Sequence, residues 1–317
     1  IGGAFMKILD INDNLTNITY KLELKDDYYW IILDVSEIEN LNKFIDIDNE
    51  SIEDCKSFSA NSKISFFNDY IFIIFNILNF SDKIVVSTEL NVFLSKKIII
   101  TVYRDNMDII NELIDDIKGS KNCFILRDKS RSDILLYYIL DRIIVRNYDI
   151  ISKLEAEADK IEINILKNPK KEQLNSLITL RRQVYKVRKY LNPLRYIGDS
   201  LCLNDNLIIE KDSLGYFMSL NKKIEKLMLS LESLVQDLGL VREAFESEIS
   251  NKTNELMKVF TVITSIFMPL NLIASMYGMN LKGIPLMEIE NGCHYITIIM
   301  ILIAVSLVFI FRKNKWI

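Results

Sequence analysis

Residues 251–280 read NKTNELMKVFTVITSIFMPLNLIASMYGMN, and this stretch decides the architecture of the chain. From Val259 to Met279, the phenol of Tyr277 is the only ionisable group. Because a helix rises about 1.5 Å per residue, this run would form a helix about 31 Å long, close to the thickness of a bilayer core. The run therefore predicts a first transmembrane helix over residues 259–279.

A second uncharged run covers residues 295–311 and would be about 26 Å long as a helix. His294 extends it, so we predict a second transmembrane helix over residues 294–311. The sequence RKNKWI follows, with three cations and a tryptophan, as is typical where a helix leaves the membrane. Two buried core helices of a soluble protein are the alternative, and this basic ending favours membrane spans.

Basic residues are distributed unequally around the two predicted spans. Lys252 and Lys258 precede the first span and three basic residues follow the second, whereas the connecting loop, residues 280–293, holds one lysine. Since cytoplasmic loops carry the excess of positive charge, we expect a multi-pass protein of the cell membrane with both termini in the cytoplasm. Residues 1–5 lack the basic start and apolar core of a signal peptide, and we interpret them as a tag remnant before Met6.

Most of the chain is too polar for the membrane. With 26% charged residues in a chain of 317, the part outside the spans must form a cytoplasmic body of about 250 residues. The formal net charge of -4 and the lack of a basic stripe interleaved with aromatic residues exclude a nucleic-acid partner. The four cysteines show no paired spacing, so we predict buried thiols rather than disulfides or zinc ligands. They are Cys55, Cys123, Cys202 and Cys293.

The N-terminal third has the pattern of an α/β domain, which we predict over residues 6–129. Three short segments rich in branched and aromatic residues are predicted strands: residues 28–35 (YYWIILDV), 70–78 (YIFIIFNIL) and 91–102 (NVFLSKKIIITV). Residues 37–44 and 51–57 have weaker helical patterns. A small sheet with helices on its faces is the expected arrangement.

Long helical patterns begin at Ser130. We predict helices over residues 131–166 and 171–191, ended by Asn168-Pro169 and by Pro193, which form an antiparallel hairpin. A third helix carries apolar residues at intervals of three and four, which predicts a coiled-coil stalk that runs into the first span. These residues are Phe217, Leu220, Ile224, Leu227, Leu231, Leu234, Leu238, Val241 and Phe245. Hairpin and stalk make a predicted domain over residues 130–258, followed by a transmembrane domain over residues 259–317.

A second stripe on the stalk and first span consists of polar, small or flexible side chains, again at intervals of three and four. If several copies pack around an axis, this stripe would face the axis and line a water-filled path. Helix packing in membranes also selects small and polar residues, so the stripe alone leaves both interpretations open. Pro269 favours a pore, because it removes the donor for the carbonyl of Ser265. The stripe comprises Asn254, Met257, Thr261, Thr264, Met268, Asn271, Ser275 and Gly278.

The triplet Gly278-Met279-Asn280 between two closing spans is similar to the signature of the CorA family of magnesium transport proteins. The chain resembles this family over nearly its whole length, most strongly in residues 251–280 and in the ending FRKNKWI. The resemblance implies an α+β membrane protein with an N-terminal α/β cytoplasmic domain, a long-helix stalk and two C-terminal transmembrane helices per subunit. It further implies a funnel-shaped homopentamer in which the first span lines the pore.

The resemblance also implies roles for individual residues. Gly278, Met279 and Asn280 would form the selectivity filter. Magnesium keeps its waters tightly, so a ring of neutral Asn280 amides can hold the hydrated ion. The first span would line the pore, with apolar rings that gate by dewetting at Met257, Phe260 and Met268. The pore-lining set implied by the resemblance is Asn254, Met257, Phe260, Thr264, Met268 and Asn271, and the stripe adds Thr261 and Ser275.

A cytoplasmic magnesium sensor between subunits is a further implication of the resemblance. Glu53 and Asp54, in the sequence SIEDC, match one half of it. The matching position on the long helix is Ser219, which carries no carboxylate. We therefore expect this regulatory site to be weaker, displaced towards Glu225 or Glu243, or less selective for magnesium.

These observations predict a magnesium channel that is driven by the electrochemical gradient and gated by cytoplasmic divalent cations. Mg²⁺ would be both the transported and the regulatory ion, without an organic cofactor, and the partners would be further copies of the chain and membrane lipid. No P-loop occurs in the sequence, and its single histidine, His294, has no catalytic setting, so an enzyme is not expected. Uptake or efflux of cobalt, nickel or zinc stays open, as does a non-conducting membrane-anchored coiled-coil scaffold.

Overall fold

The computed structural model describes residues 6–19, 27–57, 61–81, 84–104, 108–279, 285 and 291–316. The chain divides into two compact units. Unit 1 comprises Ile1–Ile163 and Lys171–Val241, and unit 2 comprises Asn164–Lys170 and Arg242–Ile317. The strands all belong to unit 1, whereas both apolar segments that were predicted to span the membrane belong to unit 2.

In the described residues, unit 1 contains one sheet of seven strands in the order β2-β1-β3-β7-β6-β5-β4. β3 and β7 pair in parallel, and the other neighbours pair antiparallel. The strands are β1 (Lys7–Asp10), β2 (Thr16–Asn17), β3 (Tyr29–Asp34), β4 (Lys63–Phe66), β5 (Ile71–Ser81), β6 (Ile84–Leu94) and β7 (Ile98–Tyr103).

Two predicted strands are confirmed, as β3 and β5, and both are buried along most of their length. The prediction of one strand over residues 91–102 is wrong, because β6 ends at Leu94 and β7 begins at Ile98. The backbone N–H of Ser95 donates to the carbonyl of Ile98 at 2.8 Å and closes a tight hairpin. The turn sequence Ser-Lys-Lys is short and has long apolar runs on either side, so the pattern predicts one continuous strand.

A 3-10 helix (Val35–Lys43) and helix α1 (Asn49–Ser57) pack on one face of the sheet. Both segments were predicted to be helical, and the first differs only in being a 3-10 helix. The carboxylate of Asp34 caps it by accepting the backbone N–H of Ser36 at 2.9 Å. The core beneath these helices is made by Ile38, Leu41, Ile52 and Cys55 together with residues of the sheet such as Leu33, Phe72, Phe93 and Val102.

The later helices are α2 (Asp108–Lys118), α3 (Phe124–Asp128), α4 (Ser132–Lys167), α5 (Lys171–Leu203), α6 (Leu214–Gly278) and α7 (Gly292–Lys313). The helix predicted over residues 131–166 is confirmed as α4. The prediction that the next helix ends before Pro193 is wrong, since α5 continues to Leu203. Proline removes one backbone donor, but Leu191, Leu194 and Ile197 around it are fully buried, and this packing keeps the helix intact.

The predicted stalk is confirmed as α6, a single helix of 65 residues. All residues of its predicted apolar seam, from Phe217 to Phe245, are buried. Lys223 on the same helix joins α6 to α4: its Nζ lies 2.5 Å from Asp141 Oδ1, and its carbonyl accepts the hydroxyl of Tyr148 at 3.2 Å. The seam therefore has its partners within unit 1 over most of its length.

α5 approaches α6 closely at Gly198. A Cβ atom at this position would lie 2.3 Å from Asn221 Oδ1 and 2.9 Å from Ile224 Cδ1. Asn221 is also held in place, because its Nδ2 donates to Asp199 at 2.8 Å. Glycine at residue 198 is thus required by the contact between the two helices.

Gly198→Ala is expected to lower the thermal unfolding midpoint of the purified protein, because overpacking a close helix contact costs about 1–3 kcal/mol. Gly239→Ala is the matched control in α6, where a Cβ would meet nothing within 4 Å. That change is expected to raise the midpoint, since alanine is favoured over glycine in a helix by about 0.5–1 kcal/mol. Equal shifts of both variants in the same direction would contradict the assigned close contact.

Two helices of the described chain are long and apolar enough to cross a membrane: the one that ends at Gly278 and α7. Their most apolar windows have mean hydropathies of 1.8 and 2.6, and only 6% and 0% of these windows is buried. A core helix of a soluble protein would be mostly buried, so this exposure favours the membrane interpretation.

The four cysteines are free. Cys55 and Cys123 are buried, as predicted, and Cys202 is half-buried. The prediction is wrong for Cys293, which is exposed. Cys293 is the second residue of α7, whose surface is largely uncovered in a single chain, so the apolar sequence around it does not lead to burial.

Candidate ion pathway

The membrane half of α6 has two different faces. One face is shielded within unit 2: Val262 is buried, and Ser265, Ile266, Pro269, Leu270, Ile273 and Tyr277 are half-buried. All of the residues predicted to line a pore lie away from this face and are exposed. They are Asn254, Met257, Phe260, Thr261, Thr264, Met268, Asn271 and Ser275.

α7 also has a shielded face, with half-buried residues at intervals of one, three and four: Ile296, Met300, Ile303, Ala304, Leu307 and Phe311. Both shielded faces belong to unit 2. We infer that these faces are covered within unit 2, which on α6 is the side away from the polar stripe. A single chain therefore leaves the stripe available to other copies.

The predicted selectivity filter begins at the last residue of α6. Gly278 ends the helix, and a Cβ there would meet no atom of the described residues within 4 Å. Met279 is 50% exposed, and its backbone N–H donates to the carbonyl of Met276 at 3.4 Å. Asn280 lies outside the described residues, so its role stays a prediction. Next to the triplet, the hydroxyl of Tyr277 donates to the carbonyl of Pro285 at 3.0 Å, which ties the helix end to the following loop.

Two features of α6 bear on the proposed path. The helix is continuous through Pro269, which has no N–H to offer the carbonyl of Ser265. The hydroxyl of Thr261 donates to the carbonyl of Met257 at 2.8 Å, so its hydrogen is used within the helix while its lone pairs point away from this bond. The oxygens of the stripe can thus accept hydrogen bonds from the waters of a hydrated cation.

The end of α7 is fixed by a capping motif that the sequence did not reveal. The N–H of Trp316 donates to the carbonyl of Phe311 at 3.0 Å and that of Lys315 to Arg312 at 3.2 Å, with Lys315 in the left-handed region at a φ of 55°. This is the Schellman pattern, and the ring contact of Trp316 with Phe311 at 5.9 Å is its usual hydrophobic companion.

The cap places the indole of Trp316 beside a groove of about 660 Å³ at the N-terminal end of the stripe. The other lining residues all come from α6 within unit 2, and they include a lysine, two glutamates and two amides. They are Glu248, Asn251, Asn254, Glu255, Met257, Lys258 and Thr261. The entrance to the predicted pore is therefore polar, and its charges are of both signs.

The predicted regulatory residues lie in α1, and both have lysine partners inside the chain. Lys63 of β4 forms an ion pair with Asp54, and Lys56 Nζ lies 3.6 Å from Glu53 Oε1. Of the two carboxylates, Glu53 is the more exposed, at 74% of its side chain against 25% for Asp54.

The surroundings of Asp54 are polar but not a complete metal site. Burial raises the pKa of the Cys55 thiol, and the nearby carboxylates of Glu89 and Asp54 raise it further, whereas Lys63 lowers it. Across the described ranges, no three or more side chains of His, Cys, Asp or Glu are grouped to hold a metal ion.

The positions named for a displaced regulatory site differ in their availability. Glu225 forms a bidentate pair with Arg195, at 2.7 Å from Nε and 3.1 Å from Nη2. Ser219 and Glu243 are exposed on α6. Displacement towards Glu225 would therefore require Arg195 to be released, and the regulatory assignment stays a prediction.

A comparison with family models gives a match over residues 25–313, to the family described as CorA-like Mg2+ transporter protein. Among curated proteins, the chain is similar to the cobalt/magnesium transport protein CorA of Thermotoga maritima, with 29% identity over 88% of this chain and 79% of the relative. It is also similar to the divalent cation transporter CmaX of Pseudomonas aeruginosa, with 24% identity over 72% of this chain and 67% of the relative.

Solved structures give the same picture of the fold. The complete structure of the CorA magnesium transporter from Methanocaldococcus jannaschii matches all of both chains with a TM-score of 0.84 at 22% identity. The full-length CmaX protein matches 99% of this chain and 98% of that chain with a TM-score of 0.75 at 18% identity. The predicted fold, an α/β domain followed by a long helix and two apolar C-terminal helices, is confirmed.

Proposed function

We propose, because this chain belongs to the family of CorA-like Mg2+ transporter proteins, that it carries magnesium ions across the cell membrane into the cytoplasm. The chain has the architecture of a divalent cation transporter of this family. The observation that carries the proposal is the exposed polar stripe on α6, opposite the face that packs within unit 2. In a membrane such a stripe is stable only against other helices or water.

A ring of identical chains would provide the stripe with other helices on its flanks and with water along the axis. We take the assembly to be a homopentamer with α6 of each copy against the axis and α7 outside it, towards lipid. The shielded face of α6 opposite the stripe supports this order, as does the apolar and exposed surface of α7. Both termini then lie in the cytoplasm, where Lys258 and the basic end of α7 meet the membrane surface.

Selectivity is assigned to Gly278, Met279 and Asn280 at the outer end of α6. A ring of Asn280 amide oxygens would accept hydrogen bonds from the waters of Mg²⁺, which keeps its inner shell during capture. The open space beside Gly278 leaves room for a hydrated ion or a neighbouring backbone at this end.

Closure is assigned to apolar rings of α6 that lie between the proposed filter and the apolar seam of the stalk. Met257, Phe260 and Met268 are 58%, 63% and 69% exposed in one chain, which is unusual for large apolar side chains unless lipid or another copy covers them. Five such side chains around a narrow axis would expel water and stop ion flow. The oxygens of Asn254, Thr264 and Asn271 alternate with these rings and supply the hydrated stretches between them.

The driving force is the membrane potential, which is worth about 4.6 kcal/mol for a divalent ion per 100 mV. No hydrolysis of a nucleotide is required, in keeping with a family of transporters rather than enzymes. Cytoplasmic divalent cations would close the channel through residues such as Glu53 and Asp54.

Cobalt is the second candidate ion. The Thermotoga relative is named for both cobalt and magnesium, and the Pseudomonas relative for divalent cations. Neutral oxygens that hold an ion through its waters discriminate weakly among divalent ions of similar hydrated size, so the stripe is compatible with either metal.

The proposal is tested by ion uptake into proteoliposomes that contain the purified chain and have an inside-negative potential. Uptake of Mg²⁺ that grows with the potential is the expected result. Uptake of Co²⁺, Ni²⁺ or Zn²⁺ without Mg²⁺ would keep the pathway and change the substrate. No uptake of any divalent ion by correctly assembled protein would favour the non-conducting scaffold and overturn the proposal.

A further inference from the structure

We propose that Lys63 is a resident counter-cation for Asp54, and that this lysine takes the place of a regulatory divalent ion until it is displaced. The regulatory role of Asp54 is part of the proposed function, and the inference rests on it. The ion pair of Lys63 with Asp54 would weaken the response of this chain to cytoplasmic magnesium.

The geometry comes from two neighbouring elements of unit 1. Asp54 is on α1, and Lys63 is the first residue of β4, the edge strand of the sheet. Their side chains form an ion pair in which the Asp54 side chain is 25% exposed and that of Lys63 is 36% exposed. Asp54 Oδ2, the oxygen that contacts Lys63, is itself shielded from solvent. A partly buried pair of this kind is screened less by water and salt than a surface pair.

The carboxylate of Asp54 is therefore already paired with a cation of the same chain. A divalent ion that approaches it must either push the ammonium group away or share the carboxylate with it. In both cases the ion loses part of the Coulomb attraction that would bind it, because a positive charge is already at the site. Carboxylates attract Mg²⁺ mainly through their charge. The nearby ammonium group therefore weakens the main contribution of Asp54 to ion binding.

The rest of the predicted sensor does not compensate. Glu53 has its own lysine, Lys56, although at 3.6 Å and in a more exposed pair. The long helix offers Ser219 where a carboxylate was expected, and Glu225 is held by Arg195. The carboxylates of the predicted sensor and its displaced version thus have cations from the same chain, with Glu243 as the exposed exception.

Sequence alone does not reveal this pairing. Lys63 follows Asp54 by nine positions, and Lys56 is nearer to Asp54 in the sequence. Only the packing of α1 beside the edge strand brings this particular lysine to this particular carboxylate.

The test is a double-mutant cycle on the purified full-length protein, with binding of Mn²⁺ alone as the readout. Mn²⁺ prefers oxygen ligands as Mg²⁺ does, and the loss of its free paramagnetic resonance signal reports binding without any transport step. The four proteins are the wild type, Lys63→Met, Asp54→Asn and the double variant. Lys63→Met keeps the aliphatic stem and removes the charge.

Lys63→Met is expected to lower the Mn²⁺ midpoint about fivefold to tenfold, in line with the removal of a partly buried cation from a carboxylate. Asp54→Asn in the wild-type background is expected to leave the midpoint within about twofold, because Lys63 already occupies this carboxylate. In the double variant the gain from Lys63→Met should vanish. This last comparison separates a local effect at Asp54 from a general gain in negative charge.

Two further variants serve as controls. Lys160→Met removes a lysine from another close pair with a carboxylate, at 2.7 Å from Glu157 on α4, and should not change the midpoint. Lys63→Arg keeps the charge and should behave like the wild type. Size-exclusion chromatography establishes that each variant assembles as the wild type does.

The inference is overturned if Asp54→Asn weakens Mn²⁺ binding as much with Lys63 present as it does in the Lys63→Met background, because Lys63 would then not oppose the ion at this carboxylate. It is also overturned if Lys63→Met leaves the midpoint unchanged, or if its gain persists in the double variant. Failure of the proposed function would look different: proteoliposomes would show no uptake, while the Mn²⁺ midpoints could still follow the expected cycle.

Discussion

Asn280→Ala is expected to reduce potential-driven magnesium uptake to the level of liposomes without protein, while the protein still assembles. In the sequence Asn280 comes two residues after Gly278, where α6 ends, and in the proposed assembly every ion that enters passes this point. Alanine removes the oxygen that accepts from the waters of the ion. A hydrated Mg²⁺ then has nothing to bind at the mouth, and it does not shed its waters readily enough to bind otherwise.

The matched control is Asn291→Ala, on the same side of the membrane in the proposed topology. Asn291 is the residue before α7, and its side chain makes no capping hydrogen bond. Its loss should cost little in stability or uptake. Equal loss of uptake in both variants would indicate damage to the outer loop as a whole, and full uptake by Asn280→Ala would remove the filter from this triplet.

Asn280→Asp distinguishes how the filter holds its ion. A ring of carboxylates attracts Mg²⁺ more strongly than a ring of amides, and conduction requires that the ion also leave. We therefore expect slower uptake than in the wild type together with half-saturation at a lower magnesium concentration. Faster uptake at all concentrations would mean that capture, and not release, limits the flow.

Periodicity made the membrane half and the stalk predictable from sequence. The seam from Phe217 to Phe245 and the absence of charge from Val259 to Met279 are properties of one helix, so they are visible in a linear sequence. The polar stripe was visible for the same reason. Its exposure, opposite a face shielded within unit 2, needed the structure.

The features that sequence analysis missed depend on contacts between distant or opposed elements. The hairpin at Ser95 was read as part of a strand because its turn residues are flanked by apolar runs. α5 passes Pro193 because buried neighbours outweigh the lost hydrogen bond. Lys63 contacts Asp54 because helix α1 packs beside the edge strand of the sheet. The position of Trp316 is fixed by a backbone cap in which Lys315 adopts a positive φ. None of these follows from a period or a motif.

The gate can be tested by a change of polarity at nearly constant side-chain length. Met268 lies on the stripe and is 69% exposed in one chain, whereas Met276 on the same helix is 53% exposed and lies off the stripe. Met268→Gln would put five amides where five thioethers are proposed to expel water. A wetted ring no longer imposes the dewetting barrier, so the closed channel should leak.

The leak is measured as magnesium uptake at high magnesium on both sides of the membrane, a condition in which the wild type is expected to be closed. Met268→Gln should show uptake several times that of the wild type, and Met276→Gln should not. If both variants leak equally, the helix has been loosened in general and the ring has no special role. If neither leaks although both assemble, water already fills the path at Met268, and closure must then depend on Met257 and Phe260, where the same substitution can be made in turn.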